Sequence, residues 1–147
     1  MRRRMIPNAA RIMQIEEELR NLRSNREDEF NARRRTQERL ETLKSARAKL
    51  KKLMESYFNF PTEFSKLHTS VMDFDLQGSR RRNIEARLNT IGDSLKTQRT
   101  NHQENSQAIQ SQITAEATEE LRHNSTISSL NVQITALEKE RRLLLAQ

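Results

Sequence analysis

A heptad seam is the feature that most restricts how this chain can fold. From Ile12 to Tyr57, seam positions recur at alternating steps of three and four residues without a slip. This spacing puts successive side chains on one face of an α-helix and is typical of a coiled-coil strand. The middle of the seam, from Arg26 to Thr36, is polar. The seam predicts a first long helix over residues 8–58, to within a few positions.

A second seam follows Gly78 and predicts a second long helix over about residues 80–146. It starts with aliphatic residues, passes through polar seam positions that include His102, and then returns to aliphatic residues. Its last part, called the C-terminal stripe below, consists of Ile127, Leu130, Ile134, Leu137 and Leu144. The spacing of this stripe is again that of a heptad.

The composition excludes a layered globular core. Hydrophobic residues make up 33% of the chain and charged residues 32%, and there is no Trp. Only two Gly and two Pro interrupt the sequence. Such a composition suits long helices packed along narrow seams. We therefore expect an all-α fold: a single domain over residues 1–147, built as an elongated antiparallel helical hairpin or coiled coil.

The segment at residues 59–79 predicts a short, aromatic-rich connector between the two helices. Pro61 is expected to end the first helix, because proline is not tolerated in a helix interior. A short helix should then run from about Thr62 to Met72 and lead into a turn. Leu76 and Gly78 belong to this turn, where glycine can adopt the positive φ that other residues resist. We expect the aromatics of this region to form a hydrophobic plug that closes one end of the hairpin, with a patch that faces a partner as the alternative: Tyr57, Phe58, Phe60, Phe64 and Phe74.

The pairing register of the hairpin is predicted from the two polar stretches of the seams. Aligning the stretch centred near residue 31 with the one near residue 102 places Ile12 close to Leu121. Residues 122–147, which carry the C-terminal stripe, then have no intrachain partner. An uncovered apolar stripe indicates a protein-binding surface, for a second copy or for a helix of another protein. The alternative is a shifted register in which both arms end together.

The net charge of +7 belongs to the first part of the chain. Residues 1–57 hold 16 Lys and Arg against 9 Asp and Glu, whereas residues 58–147 hold 11 of each. A basic half can attract nucleic acid or an acidic partner, but it can equally be a solvated helix face. No aromatic side chains alternate with the arginine runs, which disfavours single-stranded nucleic acid as a ligand.

Several classes of function are not expected. The chain has no Cys, no apolar run near the roughly 20 residues that span a bilayer, and no continuous apolar segment of a signal peptide. We therefore expect a cytoplasmic protein that leaves the cell, if at all, by a non-Sec route. The three His lack metal-ligand spacing, and there is no glycine-rich phosphate loop. No enzymatic activity, cofactor, metal or small-molecule substrate is expected.

Three segments together resemble one family. They are the basic coil ending in SARAKLKKLMESYF, the turn from Leu76 to Arg81, and, after a long second helix, the closing coil STISSLNVQITALEKERRLL. This combination is similar to the YwqH-like family of small helical proteins, which is associated with LXG polymorphic toxins and type VII secretion in Firmicutes. The hydrophobic-x-Gly turn also resembles the Trp-x-Gly turn of WXG-type hairpins, with Leu76 at the Trp position.

The resemblance implies a non-enzymatic accessory or targeting factor that binds the helical N-terminal domain of a toxin. It also implies type VII secretion as the non-Sec route. Two other functions remain open from the residues alone. One is a coiled-coil export chaperone or stalk of a flagellar or type III machine, and the other is a basic, nucleic-acid-associated structural protein.

Overall fold

The computed structural model describes residues 8–74 and 77–147. These residues form three α-helices and no strand: α1 at Ala9–Ser56, α2 at Phe60–Met72 and α3 at Gly78–Leu145. The prediction of an all-α helical hairpin is confirmed. The bounds of both long helices lie close to those expected from the seams, and α2 is the helix expected in the connector.

The chain divides into two compact units. Unit 1 combines Met1–Glu41, of which the structure describes residue 8 onward, with Thr114–Gln147. Unit 2 is Thr42–Ile113 and contains the end of α1, all of α2 and the start of α3. The single domain expected from the sequence stays a prediction, and each unit is described separately below.

Unit 1 has a narrow aliphatic core between α1 and α3. Ile15, Leu19 and Ile134 form its centre, with exposed fractions of 0%, 1% and 3%. Three partly buried leucines pack against this cluster: Leu22, Leu137 and Leu144. The two seams are thus apposed as expected for a coiled coil, and the hydrophobic effect stabilises their contact.

A polar layer follows this core along unit 1. The Nδ1 atom of the buried His123 lies 2.7 Å from a carboxylate oxygen of Glu29. Arg33 donates a hydrogen bond of 3.0 Å to Asn124, and Thr36 is fully buried nearby in sequence. Buried polar groups are tolerated when they have partners, and in coiled coils they favour one register over others. The polar middle of the first seam therefore finds its partners in α3.

Arginine side chains of α1 make most of the cross-helix polar contacts. The bonded pairs in unit 1 are Arg11–Glu140, Arg23–Glu138, Arg26–Asn131, Arg33–Asn124 and Arg39–Glu116. In unit 2, Arg47 donates to Gln110 at 2.9 Å. The hydrogen bond from Arg11 holds the pKa of Glu140 below its ordinary value. The basic face of α1 is therefore partly committed to α3, rather than being uniformly solvated.

These pairs show that the predicted register is wrong. Instead of lying close to Leu121, the start of α1 meets the end of α3, where Asn8 donates a hydrogen bond of 3.3 Å to Gln147. The arms thus end together, as the alternative register required. The physical reason is that this register buries the C-terminal stripe against α1 and also gives Glu29 and Arg33 partners of complementary hydrogen-bonding type.

Unit 2 is organised around the connector helix α2. Pro61 lies in the first turn of α2, where the missing N–H removes no intrahelical bond. Phe64 of α2 lies against Gly92 of α3, and a Cβ atom added at Gly92 would come within 3.2 Å of the Phe64 ring. Gly92, which has no Cβ, therefore permits close packing between α2 and α3.

Candidate protein-binding site

The C-terminal stripe is not the free binding surface that the sequence predicted. Ile127, Leu130 and Ile134 are buried, with exposed fractions of 5%, 8% and 3%. Leu137 and Leu144 pack against the aliphatic cluster of unit 1. The prediction of an uncovered stripe was wrong because it depended on the wrong register. These five residues pack within unit 1 and stabilise the hairpin, so they do not form an uncovered stripe.

Of the two predicted turn residues, the structure describes Gly78. Gly78 has a φ of 67°, in the left-handed region that favours glycine. Leu76, the other predicted turn residue, lies outside the described residues. No Cβ contact restricts Gly78, because nothing lies within 4 Å of the position that a Cβ would take. Its backbone conformation, rather than crowding, is what makes glycine suitable there.

The two units differ in how completely they cover their apolar side chains. Among the described residues, Ile113 is the only buried side chain of unit 2. Seven large hydrophobic residues of this unit are exposed: Leu53, Tyr57, Phe58, Phe60, Leu67, Phe74 and Ile91. Isolated exposed apolar residues are ordinary, whereas a group of them marks an interaction surface. The aromatic connector is thus mostly at the surface, not a closed plug.

A pocket of about 560 Å³ lies within unit 2, and three of these exposed residues line it. Its apolar lining comes from the end of α1, the start of α2 and one residue of α3: Met54, Tyr57, Phe58, Phe60, Pro61 and Leu95. The rings of Tyr57 and Phe60 meet edge to face, with centroids 5.4 Å apart. This geometry is favourable for aromatic pairs and gives part of the wall a defined shape. The volume is in the range of pockets that hold drug-sized ligands, roughly 300–1,000 Å³.

The charged side chains around the pocket are mainly basic. Arg47, Lys51 and Arg99 line it, against the single carboxylate of Glu55. Lys51 and Arg99 make no ion pair with any residue that the structure describes. Their charges are therefore available to a ligand. The pocket can hold an apolar group and attract negative charge at its margin.

His102 adds an unsatisfied polar atom to the same site. It lines the pocket, and its Nε2 is buried without a hydrogen-bond partner within the described chain. Buried polar atoms normally have partners, so the His102 ring carries a hydrogen-bonding atom that no described residue uses, although this atom is not itself exposed to the pocket. From the sequence, His102 was interpreted as a polar spacer in the seam. Its place in the pocket was not predictable from heptad position alone.

The described residues hold neither a grouped metal site nor a helix that could cross a membrane. Within residues 8–74 and 77–147, no three or more side chains of His, Asp or Glu are grouped so that they could hold a metal ion. None of the helices, over the same residues, is both long and apolar enough to cross a membrane. Comparisons of the chain with family models, curated proteins and solved structures found no match.

Proposed function

We propose that this protein is a non-enzymatic accessory factor that holds a helical segment of a partner protein against unit 2. The observation that carries the proposal is the open apolar pocket, together with the exposed aromatics around it. Unit 1 supports this function by holding α1 and α3 together through its own buried core. A helix whose apolar face enters a groove is a common mode of peptide recognition, and it suits a surface built from helices.

The resemblance to the YwqH-like family supports a more specific form of the proposal. In that form the partner is the helical N-terminal domain of an LXG-type toxin, bound in the cytoplasm before export by the type VII route. The segments that carry the resemblance include SARAKLKKLMESYF, which contributes Met54, Tyr57 and Phe58 to the pocket. The binding surface proposed from geometry and the segment quoted for the resemblance thus overlap.

The test is complex formation with the helical product of a neighbouring gene, followed by size-exclusion chromatography with light scattering. Phe58→Asp is the test variant and Val132→Asp the matched control, because Phe58 is 79% exposed and Val132 70% exposed. Neither substitution disturbs a buried side chain, and circular dichroism verifies that helicity is retained. We expect Phe58→Asp to abolish the complex and Val132→Asp to leave it intact.

The opposite pattern would move the binding site from unit 2 to unit 1 and refute the proposal. The proposal also fails if neither variant weakens the complex, since a charge in the centre of an apolar contact is strongly unfavourable. A complex with the product of a gene that does not encode a toxin would retain the binding function and remove the toxin assignment.

A further inference from the structure

We infer that the segment recognised by unit 2 is an acidic amphipathic helix, with its apolar face in the pocket and its carboxylates on Lys51, Arg99 and His102. This inference rests on the proposed function and specifies the chemistry of the partner. Three observations carry it: the size of the pocket, the sign of the charges around it and the unsatisfied atom of His102.

The size of the pocket indicates a helix rather than a single inserted side chain. A volume of about 560 Å³ matches the space taken by a drug-sized molecule. Residues three or four apart on a helix lie side by side on one face, so two large side chains can enter together. A peptide that binds by adding a strand would instead require an exposed sheet edge, and the described residues form no strand.

The charge of unit 2 favours an acidic partner over a second copy of the chain. Residues 42–113 contain 12 Lys and Arg against 7 Asp and Glu. Two copies that met through this surface would bring like charges together, which is unfavourable across an interface. Around the pocket itself, Lys51 and Arg99 have no carboxylate partner among the described residues. A helix that carries Glu or Asp beside its apolar face would supply these partners.

The third observation concerns His102. Its Nε2 is buried and has no hydrogen-bond partner among the described residues, so a rotation of the ring that turns this atom toward the pocket gives the partner helix a hydrogen bond without breaking an existing one. With Nε2 protonated, the ring donates to a carboxylate oxygen of the partner. A lysine at the same place would repel the basic side chains and would have to donate to the other tautomer.

The experiment uses two synthetic peptides of about 20 residues, long enough to form helix in part when free. Both carry the same leucine face, and the remaining positions are Glu in one peptide and Lys in the other, two residues of similar helix propensity. Binding of each labelled peptide to the full chain is measured by fluorescence anisotropy at low and high salt. We expect the Glu peptide to bind about tenfold more tightly, with a smaller ratio at high salt.

Substitutions in the chain test which residues cause the tighter binding of the Glu peptide. Lys51→Glu and Arg99→Glu should each reduce the preference for the Glu peptide several-fold, whereas Lys139→Glu, the same charge change in unit 1, should not. His102→Phe keeps the ring and removes the donor, so it should weaken the Glu peptide and leave the Lys peptide unchanged. If Lys51→Glu and Lys139→Glu have equal effects, the preference for the Glu peptide depends only on the net charge of the chain, and the inference is overturned.

Failure of the inference is distinguishable from failure of the proposed function. If both peptides bind with equal affinity and Phe58→Asp abolishes the binding of both, the proposed binding site is retained and its preference for an acidic helix is refuted. If Phe58→Asp changes the binding of neither peptide, the pocket is not the binding site, and both the proposed function and the inference are refuted. Absence of binding by either peptide overturns the acidic-helix inference. A dimer of the chain that Phe58→Asp disperses would replace the partner helix by a second copy.

Discussion

Replacing Ile134 with Ala is the sharpest test of the pairing between α1 and α3. Ile134 is 3% exposed and belongs to the same cluster as Ile15 and Leu19. The substitution removes three carbon groups from this cluster. At about 0.8 kcal/mol for each buried CH₂, transfer alone amounts to about 2.4 kcal/mol. The cavity left behind raises the expected loss into the range of 2–5 kcal/mol.

Val132→Ala is the matched control, two residues away on the same helix. Val132 is 70% exposed, so its side chain loses little buried area. Alanine also has the higher helix propensity, by up to about 0.7 kcal/mol. The control should therefore be neutral or slightly stabilising. In the register that leaves residues 122–147 unpaired, neither side chain would be in a core, and the two substitutions would have similar small effects.

The measurement is urea unfolding followed by circular dichroism, supported by thermal melts. A loss of about 3 kcal/mol lowers the unfolding temperature by roughly 10 °C for a chain of this size. If the two units unfold in separate transitions, the shift should be confined to the transition of unit 1. A change below about 0.5 kcal/mol for Ile134→Ala, typical of surface substitutions, would refute the burial of the C-terminal stripe.

Three further predictions follow from single features of the chain. Gly78→Val should destabilise the protein by about 1–2 kcal/mol in urea unfolding, because a β-branched residue resists the φ of 67°. Gly92→Ala should be more favourable in a Phe64→Leu background than in the natural chain, since the ring then no longer approaches the new Cβ to 3.2 Å; a double-mutant cycle measures this coupling. Hydrogen bonds from arginines hold the pKa values of Glu138 and Glu140 below the ordinary 4.5. The stability that these two carboxylates contribute is therefore fully present above about pH 4.5, and it is lost as the pH falls through their lower pKa values in the folded protein.

Each of these predictions has a control that can contradict it. Gly78→Asn should cost less than Gly78→Val, since asparagine tolerates a left-handed φ, and equal costs would contradict the backbone argument. Additive effects in the Gly92 cycle would mean that the Phe64 ring moves aside freely. For the acid dependence, Arg11→Gln removes the hydrogen bond to Glu140 and should reduce the loss of stability between about pH 6 and about pH 3. An unchanged acid slope would show that this pair does not contribute.

Much of the secondary structure follows from local sequence. Seam spacing from Ile12 onward and from Ile84 onward requires two long helices whatever their partners are, because periodicity acts through the helix itself. Pro61 between the aromatics separates α1 from α2 for an equally local reason, its missing N–H. The positive φ at Gly78 also belongs to this group, since few other residues adopt it.

The register and the binding site were decided only by the tertiary structure. A heptad repeat presents the same apolar pattern every seven residues, so the two seams by themselves can pair in several registers. Specific pairs such as Glu29 with His123, and Arg11 with Glu140, distinguish among them. The tertiary structure also decided the exposure of the aromatics in the connector. Whether Phe58 is buried depends on how far the connector helix α2 covers it, and α2 leaves it 79% exposed. Burial is a property of the packed neighbours, which helix periodicity does not specify.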